Sequence, residues 1–147
     1  MQAAYVCSFD ATPEVAAAKK ILKYAKTQNL TKKPGTRLFG RNTYPTDKPG
    51  THGYELYLTC NGTQKSQEVE TADVKGGLYA GLRFKNIENI DFAWRKLWNW
   101  IETSGYEPIS WQMGKNGWVG GFEEHVNWQD KKDPTEWVYD LWVLLKE

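Results

Sequence analysis

A chain of 147 residues can build one domain with a sizeable core. Its 19 basic and 18 acidic residues nearly cancel, which excludes a general attraction to nucleic acid or membrane surfaces. No run of about 18 apolar residues is present to span a membrane, and no basic-then-apolar leader is visible, so the expected location is the cytoplasm.

Cys7 and Cys60 lack CxxC spacing and read as two reduced, buried thiols. Eight tryptophans and eight tyrosines in a chain that is polar on average must be concentrated somewhere, in a core or in a pocket.

Ala3 to Phe9 predicts a strand, which Asp10 to Pro13 breaks. Thr12 as N-cap, Pro13 at the first position and Glu14 in the first turn then open a helix to about Asn29. Val15, Ala18, Leu22 and Ala25, with Ile21 beside them, form its expected buried face. Lys19, Lys20, Lys23 and Lys26 make a solvated basic face. No aromatic residues interleave with it to suggest nucleic-acid binding. Thr36 to Asn42 fits a short strand with Gly40 permitting a bend, and Tyr44 to Gly53 fits a surface loop. Tyr54 to Cys60 reads as a strand ending in the Asn61-Gly62 turn. Asn61-Gly62-Thr63 is better read as that turn than as a glycosylation acceptor. Gln67 to Lys75 can supply a return strand, and Leu78 to Phe84 another.

Asn89 to Ser104 is the most distinctive stretch, with Trp94, Trp98 and Trp100 inside seven residues. Ile90, Trp94, Leu97 and Ile101 mark one apolar helical face, and Trp98 and Trp100 fall on opposite shoulders of it. One shoulder can seal a core while the other lines a cavity; a helix simply packed on a sheet is the plainer alternative. Asn89 suits the start of this helix, Asp91 its first turn and Gly105 its end. Ile109 to Met113, Trp118 to Trp128 (interrupted by Gly120-Gly121) and Trp137 to Leu145 are the remaining strand candidates.

The halves echo one another, each running from an aromatic-containing strand through a helix to a Gly-aromatic-Glu triplet. Those triplets are Gly53-Tyr54-Glu55 and Gly121-Phe122-Glu123. By strand alternation Glu55 shares a face with Tyr57, and Glu123 with His125. A pseudo-twofold axis between the halves would place the two glutamates equivalently. The competing reading turns either one to solvent, because antiparallel sheets commonly bury one face only. A carboxylate in a dry aromatic hollow is short of a counter-charge. An organic cation supplies it, with a cation–π attraction of about 0.5–2 kcal/mol per ring.

The run Leu38-Phe39-Gly40-Arg41-Asn42, the Pro-rich loop, Gly53-Tyr54-Glu55, Gly76-Gly77-Leu78-Tyr79-Ala80, the tryptophan helix and Gly121-Phe122-Glu123-Glu124 resemble the GyrI-like effector-binding domains. The integron-associated effector-binding branch is the most similar, and the likeness runs over nearly the whole chain. It implies an α+β fold of the GyrI-like, SHS2 type. Duplicated β-α-β-β units, about 3–75 and 76–147, form a concave antiparallel sheet with two helices about a pseudo-twofold axis. It also implies a ligand groove between the halves for hydrophobic, often cationic compounds, held by aromatics and a buried glutamate.

The candidate ligand-binding residues carried over are Glu123, Glu55, Tyr57, Trp94, Trp98, Trp100, Tyr79 and His125. Which tryptophans face the groove stays open. No cofactor or metal is expected, since His52 and His125 share no ligand spacing with the cysteines.

The first expectation is a stand-alone, non-enzymatic binder of hydrophobic, cationic aromatic compounds, as monomer or homodimer. It would touch neither nucleic acid nor membrane directly, and any link to transcription would run through a separate regulator protein. A hydrolase opening reactive cyclopropane-containing compounds with a groove glutamate is the alternative, and a protein-docking tryptophan surface is a third.

Overall fold

The computed structural model describes residues 1–43, 52–59, 69–109, 112–114, 117–119 and 121–147. Residues 44–51 of the expected Tyr44 to Gly53 loop, Cys60, the Asn61-Gly62 turn and Gly120 lie outside these, while His52 and Gly53 open a strand. In chain order the elements are β1 (Gln2–Asp10), α1 (Pro13–Thr27), β2 (Leu38–Thr43), β3 (His52–Thr59), β4 (Glu70–Asp73) and β5 (Tyr79–Lys85). They continue with α2 (Ile90–Ser104), β6 (Gln112–Gly114), β7 (Gly117–Val119), β8 (Gly121–His125) and β9 (Val138–Leu144). No helix among the described residues is long and apolar enough to cross a membrane.

Seven strands form one sheet in the order β4-β1-β3-β2-β8-β9-β5, and β6 and β7 pair in a separate small hairpin. Every pairing is antiparallel. The order β1-β3-β2 is mirrored by β8-β9-β5 across the β2–β8 seam, so the expected duplicated α+β arrangement of two β-α-β-β units is present. The region read as one interrupted strand, Trp118 to Trp128, is divided. Its first part joins the hairpin as β7, its middle is β8, and the chain turns away after His125.

Registered partners in antiparallel strands share a face. One face carries Ala4, Val6, Leu56, Leu58, Leu38, Glu123, Leu141, Val143 and Ala80, and both helices pack there. Two apolar clusters result, one under each helix. The first joins Val6, Leu38, Leu56 and Leu58 to Ala17, Ile21, Tyr24 and Ala25. The second joins Ala80, Leu141 and Val143 to Ala93, Leu97 and Ile101. The opposite face holds a third, aromatic cluster of Tyr5, Phe39, Tyr57 and Phe122, with Tyr79 and Trp142 packed against it.

Three helix-level expectations are corrected. Helix α1 ends at Thr27 and buries Ala17, Ile21, Tyr24 and Ala25, whereas Val15 is 55% exposed. Turning the helix this way buries Tyr24, a larger apolar surface than Val15 offers. Thr12 makes no side-chain cap; its backbone N–H instead donates to Asp10 Oδ1 at 2.6 Å. Asn89 likewise does not cap α2; its amide donates to the Lys85 carbonyl, while Asn86 caps the preceding single turn. Gly105 does close α2 in the left-handed conformation, with φ +82°, which glycine adopts without steric cost.

Candidate functional site

Glu123 sits on the helix-bearing face beside the seam, registered with Gly40 on β2 and Leu141 on β9. Only 9% of the residue is exposed. Each half sends one donor to it. Tyr54 on β3 brings its hydroxyl to Oε1 at 3.4 Å, and Trp94 on α2 brings its indole N–H to Oε2 at 3.4 Å. Tyr54 gets there by lying across Gly40. A Cβ built on that glycine would stand 2.3 Å from the tyrosine oxygen.

Both bonds are long for their type and both donors are neutral. Desolvation therefore prevails, and burial pushes the Glu123 carboxyl up to about 7 against these two opposing hydrogen bonds. Glu14 and Asp91, in the first turns of α1 and α2, push the same way. No salt bridge to Glu123 is formed among the described residues. Ionised, this carboxylate is a buried negative charge without a countercharge among the described residues.

Glu55 stands in a different environment. Its register partners Cys7 and Arg41 place it on the face opposite Glu123, and it is 0% exposed. Arg41 Nε donates to Oε2 at 2.5 Å, the Tyr57 hydroxyl to Oε2 at 2.8 Å and the Tyr5 hydroxyl to Oε1 at 3.2 Å. The Arg41 guanidinium lies over the rings of Phe122, at 5.0 Å, and Tyr57, at 5.3 Å. It also donates to the Tyr57 hydroxyl at 2.7 Å. This buried charge is already matched by the protein. Further along the same face Arg37 grips Glu124 through two bonds of 2.7 and 2.8 Å, and Arg83 grips Asp140 likewise.

The expected equivalence of Glu55 and Glu123 is therefore not met. By sheet order the counterpart of β3 is β9, and that of β8 is β2. The repeated triplet falls on strands that the pseudo-twofold does not relate.

The other candidates divide similarly. Tyr57 and Tyr79 lie on the Glu55 face, Tyr79 with its hydroxyl on the Lys75 carbonyl and its ring edge-on to Trp142 at 6.4 Å. Trp98 packs half-buried on the second cluster, as Trp94 does. Trp100 points outward, 51% exposed, and stacks on Tyr106 at 6.2 Å. It cannot line the seam, because its helical position turns it from the sheet.

His125 shares the Glu123 face and stacks on Tyr139 at 4.7 Å; burial pulls its imidazole down to about 4. Sequence reasoning missed Tyr54 as a partner of Glu123 and Arg41 as the countercharge of Glu55. The signal for Tyr54 was a glycine on the strand beside it, but cross-strand register cannot be read from the sequence between Thr43 and His52.

No protein-family model and no curated protein matches the chain. Solved structures do. The EcmrR–DNA complex in EcmrR-RPo, solved by cryo-EM, superposes with a TM-score of 0.62 at 13% identity, over 99% of this chain and 55% of that one. This chain thus spans about half the length of EcmrR. An uncharacterized conserved protein from Listeria innocua gives 0.64 at 11% identity, covering 99% and 88%. A hydrolase from the same organism gives 0.58 at 10% identity, again over 99% and 88%. At such identities the likeness is one of fold: an open antiparallel sheet of seven strands with two helices on one face, in keeping with the GyrI-like fold.

Proposed function

We propose that this chain is a binding module for hydrophobic, monovalent organic cations, received at the seam between its halves. Glu123 is the countercharge, and Trp94 and Tyr54 are the walls. The observation that carries this reading is the contrast between two buried glutamates. Among the described residues Glu55 has an arginine, whereas Glu123 has two long bonds from neutral donors. A bound cation removes the desolvation cost that Glu123 alone bears. The cytoplasm is the proposed site of action. The EcmrR neighbour is a chain in complex with DNA, and on that likeness occupancy of the seam would be read out through a separate transcription regulator.

The hydrolase reading draws on the Listeria innocua neighbour and on a carboxyl group titrating near neutrality, which suits general acid–base work. The pairing of Glu55 with Glu123 is what it lacks, since Glu55 faces away across the sheet and is held by Arg41.

Tryptophan fluorescence tests the proposal, using 10-methylacridinium and neutral acridine as a matched pair at a pH above 7. Glu123→Gln is expected to weaken the cation about 10- to 100-fold, the range of a charge-assisted contact, and the neutral ring far less. Equal losses for both would overturn the charge-based reading. Mass spectrometry of a cyclopropane-containing compound after incubation separates the alternatives, because hydration marks the hydrolase.

A further inference from the structure

The main sheet ends in two unlike edges. At one, β4 is four residues long with an acid at each end, Glu70 and Asp73, and both shortness and charge protect a free edge. At the other, β5 runs seven residues, Tyr79–Lys85. Bonds from Leu145 N–H to the Leu78 carbonyl and from Asn86 N–H to the Trp137 carbonyl, both 2.9 Å, fix which backbone groups face β9. By the alternation of an antiparallel ladder, Ala80, Leu82 and Phe84 bond inward, while Tyr79, Gly81, Arg83 and Lys85 direct N–H and C=O outward. The Asn89 amide meets the Lys85 carbonyl, and the other outward groups have no hydrogen-bond partner among the described residues. Charge guards this edge poorly, because two bonds tie Arg83 to Asp140 and Gly81 has no side chain.

The helix above is lopsided in the same sense. α2 packs on β5 and β9 through Ala93, Leu97 and Ile101, and its Trp94 reaches Glu123 on the seam side. At about 100° per residue, Phe92, Lys96 and Trp100 fall on the flank away from Trp94, toward the open edge. Phe92 is 63% exposed, and Trp100 and its stacking partner Tyr106 are each 51% exposed. Large aromatic side chains gathered beside a free sheet edge are the kind of patch that marks an interface.

We propose that β5 and this flank of α2 form a two-fold interface for a second copy of this chain, β5 pairing antiparallel with the partner's β5. Such a contact must be self-complementary, and it is when Leu82 lies opposite the partner's Leu82. Gly81 then exchanges bonds with the partner's Arg83, and Tyr79 with the partner's Lys85, all through outward groups. On the helix-bearing face Ala80 meets the partner's Phe84. On the other face each cation meets glycine or tyrosine, so no like charges stand opposite. A two-residue slip toward the end of the strand would set Arg83 against the partner's Arg83. The two α2 helices come side by side across the axis and cover Phe92 and Trp100, while Lys96 is long enough to keep its ammonium in water. Trp94 and Glu123 lie on the opposite flank, so this interface stands apart from the cation site.

A seven-residue strand is roughly 23 Å long, and one strand and one helix of that length cover less than the ~800 Å² per partner of a standard interface. The expected dissociation constant is therefore about 10–100 µM. Sedimentation equilibrium of the full chain, from well below to well above that range, is expected to show a monomer–dimer equilibrium. Lys85→Pro removes an outward N–H and no bond of the sheet, and Phe92→Glu charges an exposed position. Each is expected to weaken self-association tenfold or more. A chain that stays monomeric at every concentration leaves this edge to another strand and overturns the proposal, as does unchanged association in either variant.

Amide hydrogen exchange followed by NMR gives a second readout. With rising protein concentration the amides of Gly81 and Arg83 should slow, while those of Leu82 and Phe84, already bonded to β9, change little. Protection that rises in β4 and not at Gly81 and Arg83 overturns the assignment.

Discussion

Glu123 is held by Tyr54 and Trp94 at 3.4 Å each, and neither donor replaces the hydration that its carboxylate loses on burial. The consequence for stability follows from linkage. The folded-state value of about 7 lies above the ordinary 4.5, so the native state holds its proton longer than the unfolded chain does. Stability from this group is fully present below pH 4.5 and is lost as pH rises through about 7. Glu123→Gln has no such titration. Measured by urea denaturation, the variant should gain on the wild type by about 2–3 kcal/mol between pH 5 and pH 8. A difference that stays constant with pH would show that Glu123 is not desolvated. The same proton opposes cation binding below neutrality, so a gain in stability from this substitution should accompany a loss of affinity. Glu55 illustrates the other solution, in which Arg41 meets the charge inside the protein.

At the scale of elements, the site depends on Gly40, because only a residue without a side chain lets the Tyr54 ring cross β2 to reach β8. Gly40→Ala would place a methyl group 2.3 Å from the tyrosine oxygen and 2.7 Å from the ring carbon that bears it, closer than real contacts allow. A double-mutant cycle with Tyr54→Ala isolates this crossing. Gly40→Ala should cost several-fold in affinity and about 1–3 kcal/mol in stability when Tyr54 is present. Most of that stability cost should vanish in the Tyr54→Ala background. Additive costs in the cycle would mean that the ring does not depend on the gap.

Gly40 could be read from the sequence as a bend or bulge, but not as a passage for a ring from the neighbouring strand. Strand positions were legible because alternation and turn residues are local signals, as in Ala3 to Phe9 and Trp137 to Leu145. The facing of α1 was not. Its run of alanines carries little directional information, so Tyr24, which decides the rotation, was overlooked in favour of Val15. Trp100 shows a related limit, since periodicity locates a shoulder but cannot say that Tyr106 will receive it.

For the whole molecule, the sheet is a partition. Glu55 and its arginine lie on one side, and Glu123 and both helices on the other. The repeated triplet suggested two equivalent acids, yet three residues do not encode which sheet position a strand will take. The duplication itself was legible because it is written in the order of elements. Among the described residues its join is the shortest ladder in the main sheet. The described residues pair β2 with β8 at Phe39–Glu124 and Gly40–Glu123 alone, against eight registered pairs for β1–β3 and seven for β5–β9. Sub-global opening should therefore begin where the halves meet. A ligand that touches Trp94 from one half and Tyr54 from the other is bound by the closed form and lost on opening. At a concentration of about 100 times its Kd, such a ligand stabilises the closed form by about 2.7 kcal/mol, which is close to a hundredfold slowing of exchange. Amide hydrogen exchange with 10-methylacridinium should show that slowing in β2 and β8 and in the first turns of α1 and α2, with little change in the outer strand β4. Protection confined to β4 and β1 would place the ligand elsewhere and detach the cation site from the seam.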